Sequence, residues 1–266
     1  MFSPHDGRRV AVHPYRQMMT FLMRGRNESA VYFEQHLDLS KCLPWLESRG
    51  IKLFPLILHA LARTLHDRER LNRFTLGRRT YQRNDVFVSF AAKKAMSDEA
   101  PLSTVKRRFP RDETFATLVD ELGGGIAEAR SDKKSQVDKE LAVLLKLPGF
   151  LLLWLMALLK RLYAWGLAPR SLVDTDPLYT SAFVANLGSI KIDAAYHHLY
   201  EHGTCPLFVT IGQVTQMPAV VDGQLVAKPT VTLRYSFDER VEDGLYAARA
   251  LKMFAERVED PASWIA

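Results

Sequence analysis

The chain has only two cysteines, Cys42 and Cys205, in 266 residues. That is too few for a disulfide framework, and the two lack the spacing of a metal-ligand pair. A reducing, cytoplasmic setting is the resulting expectation. The opening MFSPHDGRRVAVHPYRQMM has no apolar run, so no secretory leader is expected. There is no internal repeat and no low-complexity linker. No zinc-finger, basic-zipper or RNA-recognition pattern occurs, which sets nucleic acid aside as a partner. Charge imbalance is small: 36 Lys plus Arg against 30 Asp plus Glu, a net +6.

What is present suits a globular protein, with 47% hydrophobic and 25% charged residues. A chain of this length buries a sizeable core without staples, and one domain over residues 1–266 is expected. Two features stand out. LPGFLLLWLMALL, from Leu147 to Leu159, carries no charge. A spanning helix needs roughly 17 to 25 apolar residues, and here Pro148-Gly149 and Lys160-Arg161 close the run. Over residues 147–167 it reads as a buried hairpin helix, or as one lying at a membrane surface with Tyr163 and Trp165 at the boundary. The tightest basic cluster is Lys106, Arg107 and Arg108, with Arg111 nearby. It reads either as a solvated face or as a site for a phosphorylated ligand.

Periodicity places the elements. Residues 30–39 (AVYFEQHLDL) read as a strand; Ser40 then caps a short helix that Gly50 ends. PLILHALARTLHDRER, 55–70, has helical spacing with proline in its first turn. VFVSFA, 86–91, reads as a strand, and 113–130 as a helix containing Gly123-Gly124-Gly125. Strands follow at 179–186 and 207–214. Asp222-Gly223 marks a hairpin between 219–221 and 224–226. Val231, Leu233, Tyr235 and Phe237 alternate with polar residues, and a last helix spans 244–259 before Asp260-Pro261. Long strands with helices between them predict an α/β or α+β sandwich.

The C-terminal stretch AVVDGQLVAKPTVTLRYSFDERVEDGLYAARALKMFAERVEDP resembles the catalytic domain of dihydrolipoamide acyltransferases, in the chloramphenicol acetyltransferase-like superfamily. There a valine-rich hairpin leads through a strand to DHRxxDG and a final helix. ANLGS at 185–189 is similar to the family's ISNLG, LFVTIGQV to its AILGVG strand, and FPLILHALARTLHDRERLN to its helix ending in Leu-Asn. The likeness covers about 10–131 and 176–261. It implies a chloramphenicol acetyltransferase-like fold and a homotrimer or larger trimer-based cage. It also implies acyl transfer between subunits, with a coenzyme A thioester as substrate and no permanently bound cofactor. In the family, one subunit's motif histidine is the general base toward a thiol. Its neighbour's Ser or Thr hydroxyl stabilises the oxyanion.

Both chemical groups are replaced here. The histidine position of DHRxxDG is Glu239, and the hydroxyl position is Ala185; Asp238, Arg240, Asp243 and Gly244 remain. Losing a base costs about 10²–10⁴ in rate, and losing an oxyanion donor about 10²–10³. A carboxylate near pKa 4.3 is a weak base toward a thiol near 8.5, unless burial raises it. Replacement groups are sought in AAYHHLYEHG, with His197, His198 and His202. Adjacent histidines on a regular element point apart, and no carboxylate or cysteine completes a ligand set, so no metal is expected. His59 and His66, on the helix that Pro55 opens, read as structural, and His36 falls near the end of a strand with no partner that the sequence names.

The spacing between residues 114 and 184 exceeds the family's, so about 132–174 reads as a helical hydrophobic insertion. Neither a lipoyl nor a peripheral-subunit-binding domain occurs in the sequence. Two functions follow. One is coenzyme A-dependent acyl transfer to a hydrophobic acceptor, such as a lipid. It would use Glu239, Asp243, His197 or His198 catalytically, with Arg240, Asn186, Lys106, Arg107 and Arg108 binding substrate. The other is an inactive homo-oligomeric scaffold or binding protein.

Overall fold

The computed structural model describes residues 4–93, 102–130 and 146–265. Lys94 of the sequence and the first part of the insertion, 132–145, lie outside the described residues. In chain order the elements are β1 (Gly7–Arg9), α1 (Pro14–Leu22), β2 (Ala30–Asp38), α2 (Cys42–Glu47) and α3 (Leu53–Asp67). Then come β3 (Arg73–Leu76), β4 (Arg79–Arg83), β5 (Phe87–Lys93), β6 (Leu102–Arg108) and α4 (Phe115–Arg130). The insertion supplies α5 (Gly149–Ala164) and α6 (Arg170–Thr175). The chain closes with β7 (Ala182–Asn186), β8 (Leu207–Val221), β9 (Gln224–Asp238) and α7 (Gly244–Glu259).

One six-stranded sheet, ordered β2-β9-β8-β7-β5-β6, organises the molecule. β7 runs parallel to both β5 and β8, while the other neighbours are antiparallel. The alternating residues Val231, Leu233, Tyr235 and Phe237 of β9 turn one way, because a strand's side chains point to opposite faces in turn. With Val209 and Ile211 of β8 they meet the apolar stripes of α3, α4 and α7 in the main core. Thr232, Arg234 and Ser236 point to the opposite face. There an irregular segment, residues 193–205, crosses the sheet instead of a helix layer. Its carbonyls at Ala194, Ala195 and His197 accept from Arg234, Thr210 and Ser236. The result is the expected α+β sandwich.

The hairpin forms as Asp222-Gly223 predicts, with φ of 50° and 79° at those residues, the left-handed pair that a two-residue turn requires. Its arms run further than alternation indicated. Leu39 still donates to the Pro229 carbonyl and Lys228 pairs with Asp38; past these, toward the turn, β8 and β9 pair only with each other among the described residues.

Three differences from the sequence reading have physical causes. Ser40 does not cap α2. The Asp38 carboxylate takes both its N–H (2.9 Å) and its hydroxyl (2.5 Å), and the cap position falls to Lys41 with no side-chain bond. The cluster at 106–108 lies on a strand, β6, that the sequence pattern did not mark. A second sheet, β1-β4-β3, was unforeseen. Its strands are short and polar, and it is sealed by apolar residues of the insertion: Tyr163, Ala168 and Val173 pack on Phe74, Leu76 and Tyr81. Among the described residues, no helix is long and apolar enough to cross a membrane.

Candidate functional site

The end of β9 is where the family-like motif lies. Asp238 is buried, and both its carboxylate oxygens are engaged. Arg240 reaches them with Nε at 2.8 Å and Nη2 at 2.7 Å, a bidentate fork. Ser29 Oγ donates to the same carboxylate at 2.9 Å, and Thr75 Oγ1 at 3.3 Å. The remaining Arg240 nitrogen donates to the carbonyls of Met23 and Arg24. This clamp ties β9 to the start of β2, to the small sheet and to the exit of α1. Arg240 therefore has its donors committed inside the fold.

Asp243 caps α7, accepting from the Tyr246 amide at 2.9 Å. That bond, together with the nearby Arg16, holds its carboxyl below the ordinary range despite some desolvation. Glu242 is buried, and three guanidiniums converge on it: Arg73 at 3.2 Å, with Arg16 and Arg70 each at 3.7 Å. Sequence reasoning missed this cluster. Its only signal was an acid inside the motif, and the three arginines are remote from it in the chain.

Glu239 sits between these two buried groups. Its amide donates to the Ser29 carbonyl at 3.1 Å, and its own carbonyl accepts from Arg16 Nη1 at 2.7 Å. The backbone is thus fixed on both sides. The half-buried carboxylate has no hydrogen-bond or ion-pair partner among the described residues.

At the other strand end, β7 runs into a tight turn over 187–190. Asn186 Oδ1 accepts from the Ser189 amide at 3.2 Å, and Ser189 Oγ donates to the Asn186 carbonyl at 2.7 Å. A side chain at Gly188 would collide with the Gly212 carbonyl, so glycine is required by the close approach of β8. Asn186 faces a cavity of about 490 Å³, lined with Lys52, Phe54, Ser189, Gln213 and Val214. Ala185 is paired with Thr210 and presents a methyl group to the cluster of Phe183 and Phe208.

The histidines lie together on the face crossed by residues 193–205. His197 stacks flat on Phe208, 3.9 Å between centroids, and His198 stacks on His197 at 4.7 Å. The expectation that adjacent rings point apart fails because this segment is neither helix nor strand. Burial lowers the His197 pKa. His202 bonds Asp176 at 2.7 Å. No hydrogen bond or ring contact joins His197 or His198 to Glu239 among the described residues. Among those residues, too, no group of three or more His, Cys, Asp or Glu could hold a metal.

Lys106, Arg107 and Arg108 do not act as one patch: alternation along β6 turns Arg107 away from the other two, and each of the three has its own partner. Lys106 is partly buried, donates to the Val173 carbonyl at 2.8 Å, and is pushed down to about 8 by burial and by the charge of Arg83. Arg107 is held by Glu113 and Glu121, and Arg108 by Asp85. Each cation has an internal partner before any phosphate arrives.

This architecture is shared with known proteins. It superposes on a dihydrolipoamide acetyltransferase of Azotobacter vinelandii, solved to investigate a serine, a histidine and an asparagine in its catalytic mechanism. The TM-score is 0.61 at 18% identity, covering 96% of this chain and 93% of that one. The cubic core of a pyruvate dehydrogenase multienzyme complex gives 0.60 at 17% identity, covering 96% and 93%. A chloramphenicol acetyltransferase gives 0.58 at 12% identity, covering 96% and 98%. Residues 178–266, which contain both strand ends just described, match the family model of the 2-oxoacid dehydrogenases acyltransferase (catalytic domain). The chain therefore has the acetyltransferase-core fold of these proteins, and its C-terminal third matches the acyltransferase catalytic-domain family.

Proposed function

We propose that this chain is a homo-oligomeric binding scaffold, built on the acyltransferase fold and assembled in multiples of three, that does not carry out thiol-directed acyl transfer. One observation carries the reading. At the motif, every polar group retained from the family pattern serves the fold, while the two reactive positions hold Glu239 and Ala185. Asp238 and Arg240 satisfy each other, and Asp243 caps a helix. A methyl group at 185 donates nothing to an oxyanion, whose stabilisation needs a fixed hydrogen-bond donor. Assembly is supported by the hairpin, whose Val220 and Leu225 are 73% and 75% exposed. Over 219–226 the strand pair has no other strand beside it among the described residues, and an apolar pair of that kind is a ready pairing site for another copy.

The second reading is coenzyme A-dependent acyl transfer to a hydrophobic acceptor, with Glu239 as base. It is favoured by the half-buried carboxylate of Glu239, which pairs with no cation among the described residues. One experiment separates the two. The purified protein is incubated with acetyl- and longer acyl-coenzyme A, with dihydrolipoamide as acceptor, the coenzyme A and S-acyl-dihydrolipoamide formed are separated by chromatography, and mass in solution is determined. The scaffold reading expects an oligomer and background product formation. Turnover abolished by Glu239→Ala supports the second reading, and a monomer without turnover overturns both.

A further inference from the structure

The surface of α5 is unlike the rest of the molecule. From residue 146 to residue 173 the chain has no Asp or Glu but carries Lys146, Lys160, Arg161 and Arg170. Among the described residues, the helix packs on the small sheet through its last turns. Leu159, Leu162 and Tyr163 pack on the small sheet, and the Tyr163 hydroxyl donates to Asp6 at 2.6 Å. Its first turns project: Phe150 is 77% exposed, Leu153 74% and Trp154 60%. Trp165 and Leu167, just past its end, are 48% and 57% exposed. A cavity of about 490 Å³ between the helix and the turn at Leu76-Gly77 is apolar along Trp154, Ala157 and Leu158, and is rimmed by Lys160 and Arg161.

We propose that α5 is a membrane-contact element that seats on an anionic phospholipid surface, with Phe150, Leu153 and Trp154 entering the acyl boundary and Lys160 and Arg161 meeting headgroup phosphates. Apolar side chains at one end and cations at the other match the two zones of a bilayer surface. Tryptophan favours the level between them. The charge argues against a second copy of the chain on this face. A symmetric contact would bring the cations of two such stretches together with no acid between 146 and 173 to neutralise them. An anionic leaflet supplies the missing negative charge. The helix lies on this surface and does not cross it, and the seat is independent of any catalysis at Glu239.

The test uses the full chain and co-flotation with phosphatidylcholine vesicles, with and without phosphatidylglycerol, at low and high salt. Binding is expected only to the anionic vesicles, weakened by salt, with a blue shift of tryptophan emission. Leu153→Asp with Trp154→Asp, at exposed positions that the fold does not use, abolishes it. Lys160→Glu with Arg161→Glu lowers it about thirtyfold or more, from the usual contribution of each cation near such a surface. Circular dichroism confirms that each variant is folded. Failure to float with anionic vesicles, equal binding to neutral ones, or binding unchanged by the Leu153/Trp154 variant overturns the proposal. A drop in oligomeric mass caused by that variant also overturns it, because a second copy would then be the occupant.

Discussion

Glu239 is held by its backbone between two buried charge clusters, so a change of side chain there alters chemistry more than structure. Glu239→His combined with Ala185→Ser restores a base and an oxyanion donor at the two family positions. Thiol release from acetyl-coenzyme A is expected to rise about 10²–10⁴-fold over the unaltered chain, as such groups typically contribute. Its neighbour behaves oppositely. Arg240→Ala leaves the Asp238 carboxylate buried without its fork and should cost about 3–5 kcal/mol, read from urea denaturation. His59 supplies a pH dependence. It is buried, stacked on Trp264 at 5.2 Å, and lowered to about 4, first by burial and then by Arg63. Above pH 6.5 the ring is neutral in both folded and unfolded chains. Between pH 6.5 and 4 only the unfolded chain gains the proton, so up to about 3 kcal/mol of stability is lost on acidification. His59→Phe should flatten that interval in a series of melts. The motif residues were legible because they are contiguous. The Glu242 cluster was not, because Arg16, Arg70 and Arg73 are gathered only by the fold.

At the level of elements, strong periodicity survived translation into structure. β9 alternates, α3 and α7 carry apolar stripes, and Asp222-Gly223 turns the hairpin where two left-handed residues are needed. The elements that were not read are those without such a signal. β1, β3 and β4 are three to five residues long and rich in Arg, Thr and Gln. Their stability comes from distant partners, such as the buried Arg83 that bonds Asp6, Thr180 and Thr204. β6 was obscured by its cations, whose partners Glu113, Glu121 and Asp85 sit on other elements. The same network tests how α5 is anchored. Tyr163→Phe removes the bond to the half-buried Asp6, which keeps Arg83, and should cost about 1 kcal/mol. Amide exchange across 149–164 is expected to quicken while exchange in β9 stays slow. Equal acceleration in both would mean that the helix opens only with the whole molecule.

For the whole molecule, the fold was accessible from an ordered series of weak motifs, whereas its function depends on departures from them. Retained scaffold residues keep the sandwich intact: Gly188 permits β7 and β8 to approach, and Asp238 and Arg240 close the end of the sheet. The hairpin arm and α5, with their exposed apolar residues, are the surfaces proposed to meet another copy and a membrane. Deleting the hairpin tip, 219–226, should reduce the solution mass to that of one protomer without unfolding the core, as read by light scattering. An unchanged mass would place the assembly contact elsewhere. The most direct measurement is the coenzyme A and S-acetyl-dihydrolipoamide formed, separated by chromatography, when the protein is given acetyl-coenzyme A with dihydrolipoamide as acceptor. Background formation is expected from the native chain and measurable turnover from the Glu239→His, Ala185→Ser variant. Native turnover that Glu239→Ala abolishes would contradict the scaffold reading.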